Sequence, residues 1–361
     1  MIPRTPALTA ALLASATLAQ TPQFTTAPAA HSTTDAISYE WFAGASRPLR
    51  QQTLVGPSHL QSMLGRTITA IELRRNAANE VYQGGTANLT VTLSIAPHGP
   101  LQASHLYQQN RGPTPILAFS GSVTLPTSPA TQSQTVAWSP ANTVRIPLQT
   151  PFLYQGGTLL VDIEGQPIAG QNANWWMADA AFEDLKGSTT QLGAGCGLYG
   201  GQNHEWSHVA TRTLLPGAPA RFWAHGTPNG LGFAVFGLPS PLPIPLSQFG
   251  IPTPNCNLHL LPALILASTV AVFEPEASPL LAAFGGIAET RLKLPAATWL
   301  FGFSLATQWF DLAQMASSNA IQWTVASAIP SLDMALVEGD PNEVGGEVTV
   351  HLAHVLRFEH Q

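Results

Sequence analysis

Charged side chains are scarce in this chain: Asp, Glu, Lys and Arg together make up 9% of the residues, against about 25% in a typical soluble domain. The two lysines are Lys186 and Lys293, and the net charge is -6. Phosphate backbones and anionic membrane surfaces attract clustered Lys and Arg. The composition therefore argues against nucleic acid and anionic lipid as partners.

Long hydrophobic runs are also missing after the first residues. The apolar stretch at residues 258–273 is short and contains Pro262, whereas a spanning helix needs about 20 apolar residues. We therefore predict no transmembrane segment. At the N-terminus, Arg4 precedes a short apolar run, and Thr17 and Ala19 are small residues at cleavage positions. This pattern predicts a signal peptide over residues 1–19 and a mature start at Gln20; the alternative is a disordered apolar terminus.

Cysteine is limited to Cys196 and Cys256. In an exported protein these residues are expected to form a disulfide, because the extracytoplasmic environment is oxidising. The alternative is two unpaired buried thiols. The sequence thus predicts a secreted or cell-surface location, with one covalent cross-link.

What the chain has in abundance is 31 prolines and 30 glycines. They interrupt every long window, so helices are disfavoured and short strands are expected. Alternation predicts strands at residues 67–73 and 87–96, and a further strand is expected at residues 134–138. The proline-rich residues 239–252 predict an extended edge or loop, because proline removes backbone donors.

The segment at residues 20–36 is rich in Thr, Ala and Pro without periodicity and is expected to be a flexible linker. Turn signals at sandwich-like spacing follow it. We therefore predict an all-β protein with two antiparallel, jelly-roll-like β-sandwich domains, at residues 37–190 and 191–361. Whether residues 340–361 belong to the second domain stays open at this stage.

Four segments share a pattern of glycine, proline and aromatic residues: GAGCGLYGG at residues 193–201, Pro216-Gly217, residues 236–256 from Phe236 to Cys256, and the aromatic residues 299–325. Together they resemble a C-terminal module of secreted proteins from planctomycete-type bacteria. Residues 150–163 resemble a β-rich module that often precedes it. The resemblance implies export and a β fold, and it implies no activity and no catalytic residues. Residues 333–361 continue beyond the usual end of the module.

One motif suggests metal chemistry. His204, Glu205 and His208 spell HEWSH, which on a helix could bind Zn²⁺ through both histidines while the glutamate activates water. This is the hypothesis of a secreted zinc metallopeptidase. Glycines before the motif and β-branched residues after it favour a strand or loop, in which residues four apart lie about 13 Å from each other. His225 and His259 are further candidate ligands, or ordinary hydrogen-bonded histidines.

Two other groups of residues are candidate ligand sites. The first, Asp340, Asn342, Glu343 and Glu347, surrounds Gly345-Gly346 and could hold Ca²⁺; an acidic hairpin turn is the alternative. The second combines aromatic rings with amides and a carboxylate, as sugar-binding faces do, unless its tryptophans pack into the core. Its members are Trp175, Trp176, Asn172, Asn174 and Asp179.

No paired carboxylates, nucleophile elbow, P-loop or dinucleotide fingerprint can be recognised. The expected function is therefore that of an exported, non-enzymatic structural or adhesive protein, or a carbohydrate-binding one, without a cofactor. Extracellular polysaccharide and other envelope proteins are the expected partners, because a surface with little charge repulsion permits association.

Overall fold

The computed structural model describes residues 21–131, 135–171, 176–196, 208–210, 214–272 and 286–361. The predicted all-β fold is confirmed: 53% of the structure is strand and 8% is helix. Within the described ranges the α-helix α1, Tyr107–Asn110, is a single turn. Short 3-10 helices are found at Ala29–His31, Pro57–His59, Gln61–Met63, Pro100–Gln102, Leu246–Phe249 and Thr298–Leu300.

Three antiparallel sheets form the first of two sets, called here the N-terminal sheets. One has the order β1 (Gln23–Ala27), β22 (Leu356–His360), β4 (Thr67–Arg74), β7 (Thr143–Leu153). The second has the order β20 (Glu347–Thr349), β19 (Met334–Gly339), β3 (Leu49–Val55), β8 (Leu159–Pro167), β5 (Gly85–Ile95), β6 (Ile116–Leu125). The third contains β2 (Ser38–Trp41), β9 (Met177–Phe182) and β21 (Leu352–His354).

Two antiparallel sheets form the second set, called here the C-terminal sheets. One has the order β10 (Ser188–Leu192), β18 (Ala316–Thr324), β17 (Ser304–Asp311), β13 (Leu231–Pro245), β14 (Asn257–Thr269). The other has the order β11 (His208–Ala210), β12 (Pro219–Gly226), β16 (Gly286–Lys293), β15 (Ala271–Val272).

Each set of sheets has its own hydrophobic core. In β5, Leu89, Val91 and Leu93 are buried as the alternation predicts, and they join the core of the N-terminal sheets. In the C-terminal sheets, the Phe222 ring lies 5.1 Å from those of both Phe236 and Trp323. A third buried cluster joins the two sets, because it contains Leu54 and Val337 together with Leu215 and Ala326.

The predicted division at residue 190 assigns the last strands of the chain to the C-terminal domain, but these strands pair with N-terminal strands. β19 pairs with β3, β21 with β9, and β22 with both β4 and β1. Leu356 and Phe358 are fully buried in the N-terminal core. Residues 334–361 therefore belong to the N-terminal sheets, because antiparallel pairing places the apolar face of β22 over that core.

The segment predicted as a flexible linker is also held in place. Gln23–Ala27 form β1 and pair with β22. Arg74 Nη2 donates to the Thr34 carbonyl oxygen at 2.6 Å, and Ala36 N donates to Asp179 Oδ1 at 2.9 Å. Side chains distant in sequence therefore supply hydrogen bonds to this segment, which its composition does not reveal.

The predicted disulfide between Cys196 and Cys256 is confirmed, with their Cα atoms 5.1 Å apart. Cys196 N also donates to the Ser317 carbonyl oxygen of β18 at 2.8 Å. The disulfide therefore links the residues after β10 to the residue just before β14, next to β18. Among the residues described, no helix is both long enough and apolar enough to cross a membrane.

Candidate functional site

A cavity of about 1160 Å³ lies where the N-terminal and C-terminal sheets meet; we call it the cleft. The N-terminal sheets contribute β2, β3, β9, β19, β20 and β21 to its wall, and β10 contributes from the C-terminal sheets. Its polar lining consists of Glu40, Arg47, Lys186, Ser188, Thr189, Glu338, Asp340, Glu347, Thr349 and His351. Its apolar lining includes Leu49, Phe182, Leu214, Leu336 and Leu352.

Strand pairing places the carboxylates of the cleft near one another. Glu338 in β19 is the register partner of Glu347 in β20 on one side and of Gln51 in β3 on the other. Directly opposed residues of neighbouring strands present their side chains on the same face. The two glutamates therefore lie side by side, although like charges in this arrangement repel each other.

Gln51 fixes the position of Glu338. Its Nε2 donates to Glu338 Oε2 at 2.7 Å and to the Trp41 carbonyl oxygen at 2.8 Å. Because one amide nitrogen makes both bonds, the Glu338 carboxylate is held close to the backbone that follows Glu40. Arg47 Nη2 lies 3.7 Å from Glu338 Oε1, but this arginine is 56% exposed, so solvent weakens the pair.

Burial changes the protonation of these acids. Burial first, and the Glu338 charge second, raise the pKa of Glu40 to about 7, while Arg47 acts in the opposite direction. Burial also raises the pKa of Glu338, against the hydrogen bond from Gln51 and the Arg47 charge. Near neutral pH, Glu40 is therefore poised between its protonated and ionised forms.

His351, between β20 and β21, also lines the cleft. It is 4% exposed, and its ring packs edge-on against Phe182 at a centroid distance of 5.3 Å. Its Nδ1 has no hydrogen-bond partner within the described part of the chain. Burial, with the Lys186 charge as a second cause, lowers the pKa of His351. The ring is therefore neutral at pH 7.

A smaller cavity of about 360 Å³ continues the cleft and shares Glu338, Gly339 and Glu347 with it. Its other side belongs to the C-terminal sheets, where Glu289 accepts from Arg221 Nε and Arg291 Nε at 2.6 Å each. These two arginines and their shared carboxylate form a fixed ion-pair cluster between the two sets of sheets.

The acidic segment proposed as a Ca²⁺ site forms the turn between β19 and β20, as the hairpin alternative predicts. Asp340 Oδ1 accepts from Asn342 N at 2.7 Å and from Asn342 Nδ2 at 3.0 Å. A Cβ on Gly345 would clash with the His105 carbonyl, and one on Gly346 with the Glu338 carbonyl. Close backbone packing therefore accounts for the two glycines.

The predicted sugar-binding face does not form as expected. Trp176 is fully buried and packs against Phe42 and Tyr82 at 5.7 Å and 6.1 Å. Asp179 is also fully buried, in an ion pair with Arg74. Neither can reach a ligand, because core packing and the ion pair take up both side chains. Trp175, Asn172 and Asn174 lie outside the described residues.

The HEWSH motif is only partly described. His208 is the first residue of β11, which pairs with β12, and its backbone is therefore not part of a zinc-binding helix. His204 and Glu205 lie outside the described residues. His225 in β12 is buried and His259 in β14 is half-buried. In the described ranges, no three metal-ligating side chains lie close enough together to hold a metal ion.

The cleft was not predicted from the sequence. Its carboxylates come from residues 40, 338, 340 and 347. The β19–β20 hairpin brings the last three together, and the pairing of β19 with β3 places them near residue 40. The single visible signal was the acidic turn at residues 340–347. Comparison with known proteins adds no assignment: no protein-family model matches the chain, and no curated protein is significantly similar to it.

Proposed function

We propose that this chain is an exported, non-enzymatic β protein that binds carbohydrate in the cleft between its two sets of sheets. One observation carries the proposal: the cleft of about 1160 Å³ is lined by carboxylates, hydroxyls and apolar side chains. Its volume is somewhat above the usual range of ligand pockets, about 300–1,000 Å³, and so leaves room for an oligosaccharide. The adhesive role expected from the composition follows if the bound polysaccharide belongs to a cell envelope or matrix.

The chemistry of the lining suits a sugar. Carboxylate oxygens of Glu40, Glu338 and Glu347 accept hydrogen bonds, and hydroxyl-rich ligands donate them. Thr189 and Thr349 can donate and accept from the two walls. Phe182 supplies an apolar surface against which the C–H face of a sugar ring can pack.

Export is supported by the Cys196–Cys256 disulfide, because such bonds persist in oxidising compartments. The resemblance to secreted planctomycete-type modules agrees with it. Mass spectrometry of the chain expressed with its leader in a bacterial host tests this part: cleavage before Gln20 supports export, and a retained Met1 contradicts it.

Binding can be tested by affinity electrophoresis of the purified chain in gels that contain soluble polysaccharides. Thr189→Trp should obstruct one wall of the cleft and weaken the best interaction at least about tenfold, that is about 1.4 kcal/mol. Thr190→Trp is the matched control, because Thr190 is also exposed on β10 but does not line the cleft. The proposal fails if no polysaccharide retards the chain, or if both variants bind like the unchanged protein.

A further inference from the structure

Negative charge exceeds positive charge along the cleft. Four carboxylates line it, from Glu40, Glu338, Asp340 and Glu347, against the two cations Arg47 and Lys186. Lys186 Nζ lies 3.1 Å from Asp184 Oδ1, which is outside the lining. Arg47 faces Glu338 at 3.7 Å, and Arg291 of the adjoining cavity, already paired with Glu289, acts on Glu347. The cleft therefore has carboxylate charge that its own side chains do not neutralise.

Glu40 is poorly compensated, since Arg47 is the cation that opposes the rise of its pKa. Within the part of the chain that the structure describes, no hydrogen bond or ion pair reaches its carboxylate. The Gln51 amide, by joining Trp41 to Glu338, keeps a second carboxylate beside it. The Glu338 charge opposes the ionisation of Glu40, which accords with the raised pKa of Glu40. A cation placed between them would relieve this repulsion.

His351 supplies an independent indication of a ligand. More than nine-tenths of this residue is buried, it lines the same cleft, and its Nδ1 is without a hydrogen-bond partner among the described residues. An unsatisfied buried nitrogen is destabilising. Because the ring is neutral, it offers a polar contact without cancelling the negative charge.

The geometry favours an organic cation over a metal ion. In the described ranges no three side chains are arranged to ligate a metal. An ammonium group instead has three N–H donors. These donors can bond to the carboxylates of Glu40 in β2 and Glu338 in β19 at the same time. The cleft is also large enough for the rings that would carry such a group.

We infer that the saccharide bound in the cleft carries a free amino group, which binds as an ammonium between Glu40 and Glu338. This inference rests on the proposed function and names the class of sugar: a hexosamine polymer that is at least partly free of N-acetyl groups.

Isothermal titration calorimetry with two matched oligosaccharides tests the inference. The probes are β-1,4-linked glucosamine and N-acetylglucosamine oligomers of equal length, measured near pH 6.5 at low salt. The unchanged protein should bind the amine-bearing oligomer at least about tenfold more tightly. Glu40→Gln keeps the shape of the side chain and should abolish that preference.

Glu80→Gln is the control of equal charge, because Glu80 is exposed and lies outside the cleft lining; it should keep the preference. Circular dichroism verifies that each variant folds. Equal binding of both oligomers overturns the inference and leaves the proposed function standing. A preference that survives Glu40→Gln overturns the inference too. If neither oligomer nor any other polysaccharide binds, the proposed function fails with it.

Discussion

Arg74 donates a hydrogen bond from Nη2 to Asp179 Oδ2, and neither side chain is exposed to solvent. Removing one partner of such a pair leaves an uncompensated buried charge. We predict that Asp179→Ala lowers the free energy of unfolding by about 3–5 kcal/mol, measured by urea denaturation. Because Ala36 also bonds to Asp179, residues 28–36 should become sensitive to limited proteolysis.

An exposed pair provides the comparison. Arg145 Nη2 lies 2.8 Å from Glu359 Oε2, and Arg145 is 46% exposed. We expect Arg145→Ala to lower stability by less than about 1 kcal/mol, because solvent screens the pair. Similar losses in the two variants would show that burial does not strengthen the Arg74–Asp179 contact.

Phe358 tests where the end of the chain belongs. Its side chain is fully buried in the N-terminal core, so Phe358→Ala should lower stability by about 3–5 kcal/mol through the cavity it leaves. Hydrogen exchange should accelerate in β1 and β4, the strands that flank β22. Loss of protection confined to β13 and β17 would instead place residues 334–361 with the C-terminal sheets.

The Cys196–Cys256 bond closes a loop with a sequence separation of 60. In the chain-entropy description, opening a loop of this size lowers stability by about 4 kcal/mol. We predict that the double variant Cys196→Ala, Cys256→Ala unfolds at lower urea concentration, and that its loss of protection begins in β14. A midpoint equal to that of the oxidised protein would contradict this expectation.

His354 should make the protein sensitive to acid. It is 1% exposed, and burial lowers its pKa to about 4, with a hydrogen bond at Trp41 acting in the opposite direction. Between pH 6.5 and 4 the unfolded chain takes up a proton that the folded chain does not, so stability falls as the pH falls. The loss reaches about 3 kcal/mol near pH 4.

Urea titrations of the unchanged protein and of His354→Gln from pH 7 to pH 4 measure this effect. The variant should start from a lower stability and lose less of it as the pH decreases. Parallel curves for the two proteins would show that His354 does not contribute to the acid response.

Local patterns predicted individual strands better than their partners. Residues 87–96 alternate because one face of β5 is buried, and the strand is found at Gly85–Ile95. The strand expected at residues 134–138 is absent from the part of that range that is described. β13 extends through Pro239 to Pro245 because its pairing with β17 ends at Gly237, so proline there removes few hydrogen bonds.

The candidate site could not be predicted, because it depends on pairing between distant segments. Nothing near Glu40 indicates that Glu338 will approach it; Gln51 and the β3–β19 register bring them together. The segment around Trp176 led to a wrong prediction, because its sequence resembles a ligand site although the side chains of Trp176 and Asp179 are buried. Aromatic rings beside carboxylates suggest a ligand face, but burial of Trp176 and pairing of Asp179 with Arg74 are tertiary properties.

The pairing of β1 with β22 joins Gln23 to His360 in register. The four-stranded sheet therefore cannot be completed during translation until residues 356–360 have been made. Until β22 emerges, β1 has no partner in this sheet and one edge of β4 is open. Fusing a further domain after residue 361 should leave this closure intact, whereas any early truncation would leave β1 without its neighbour.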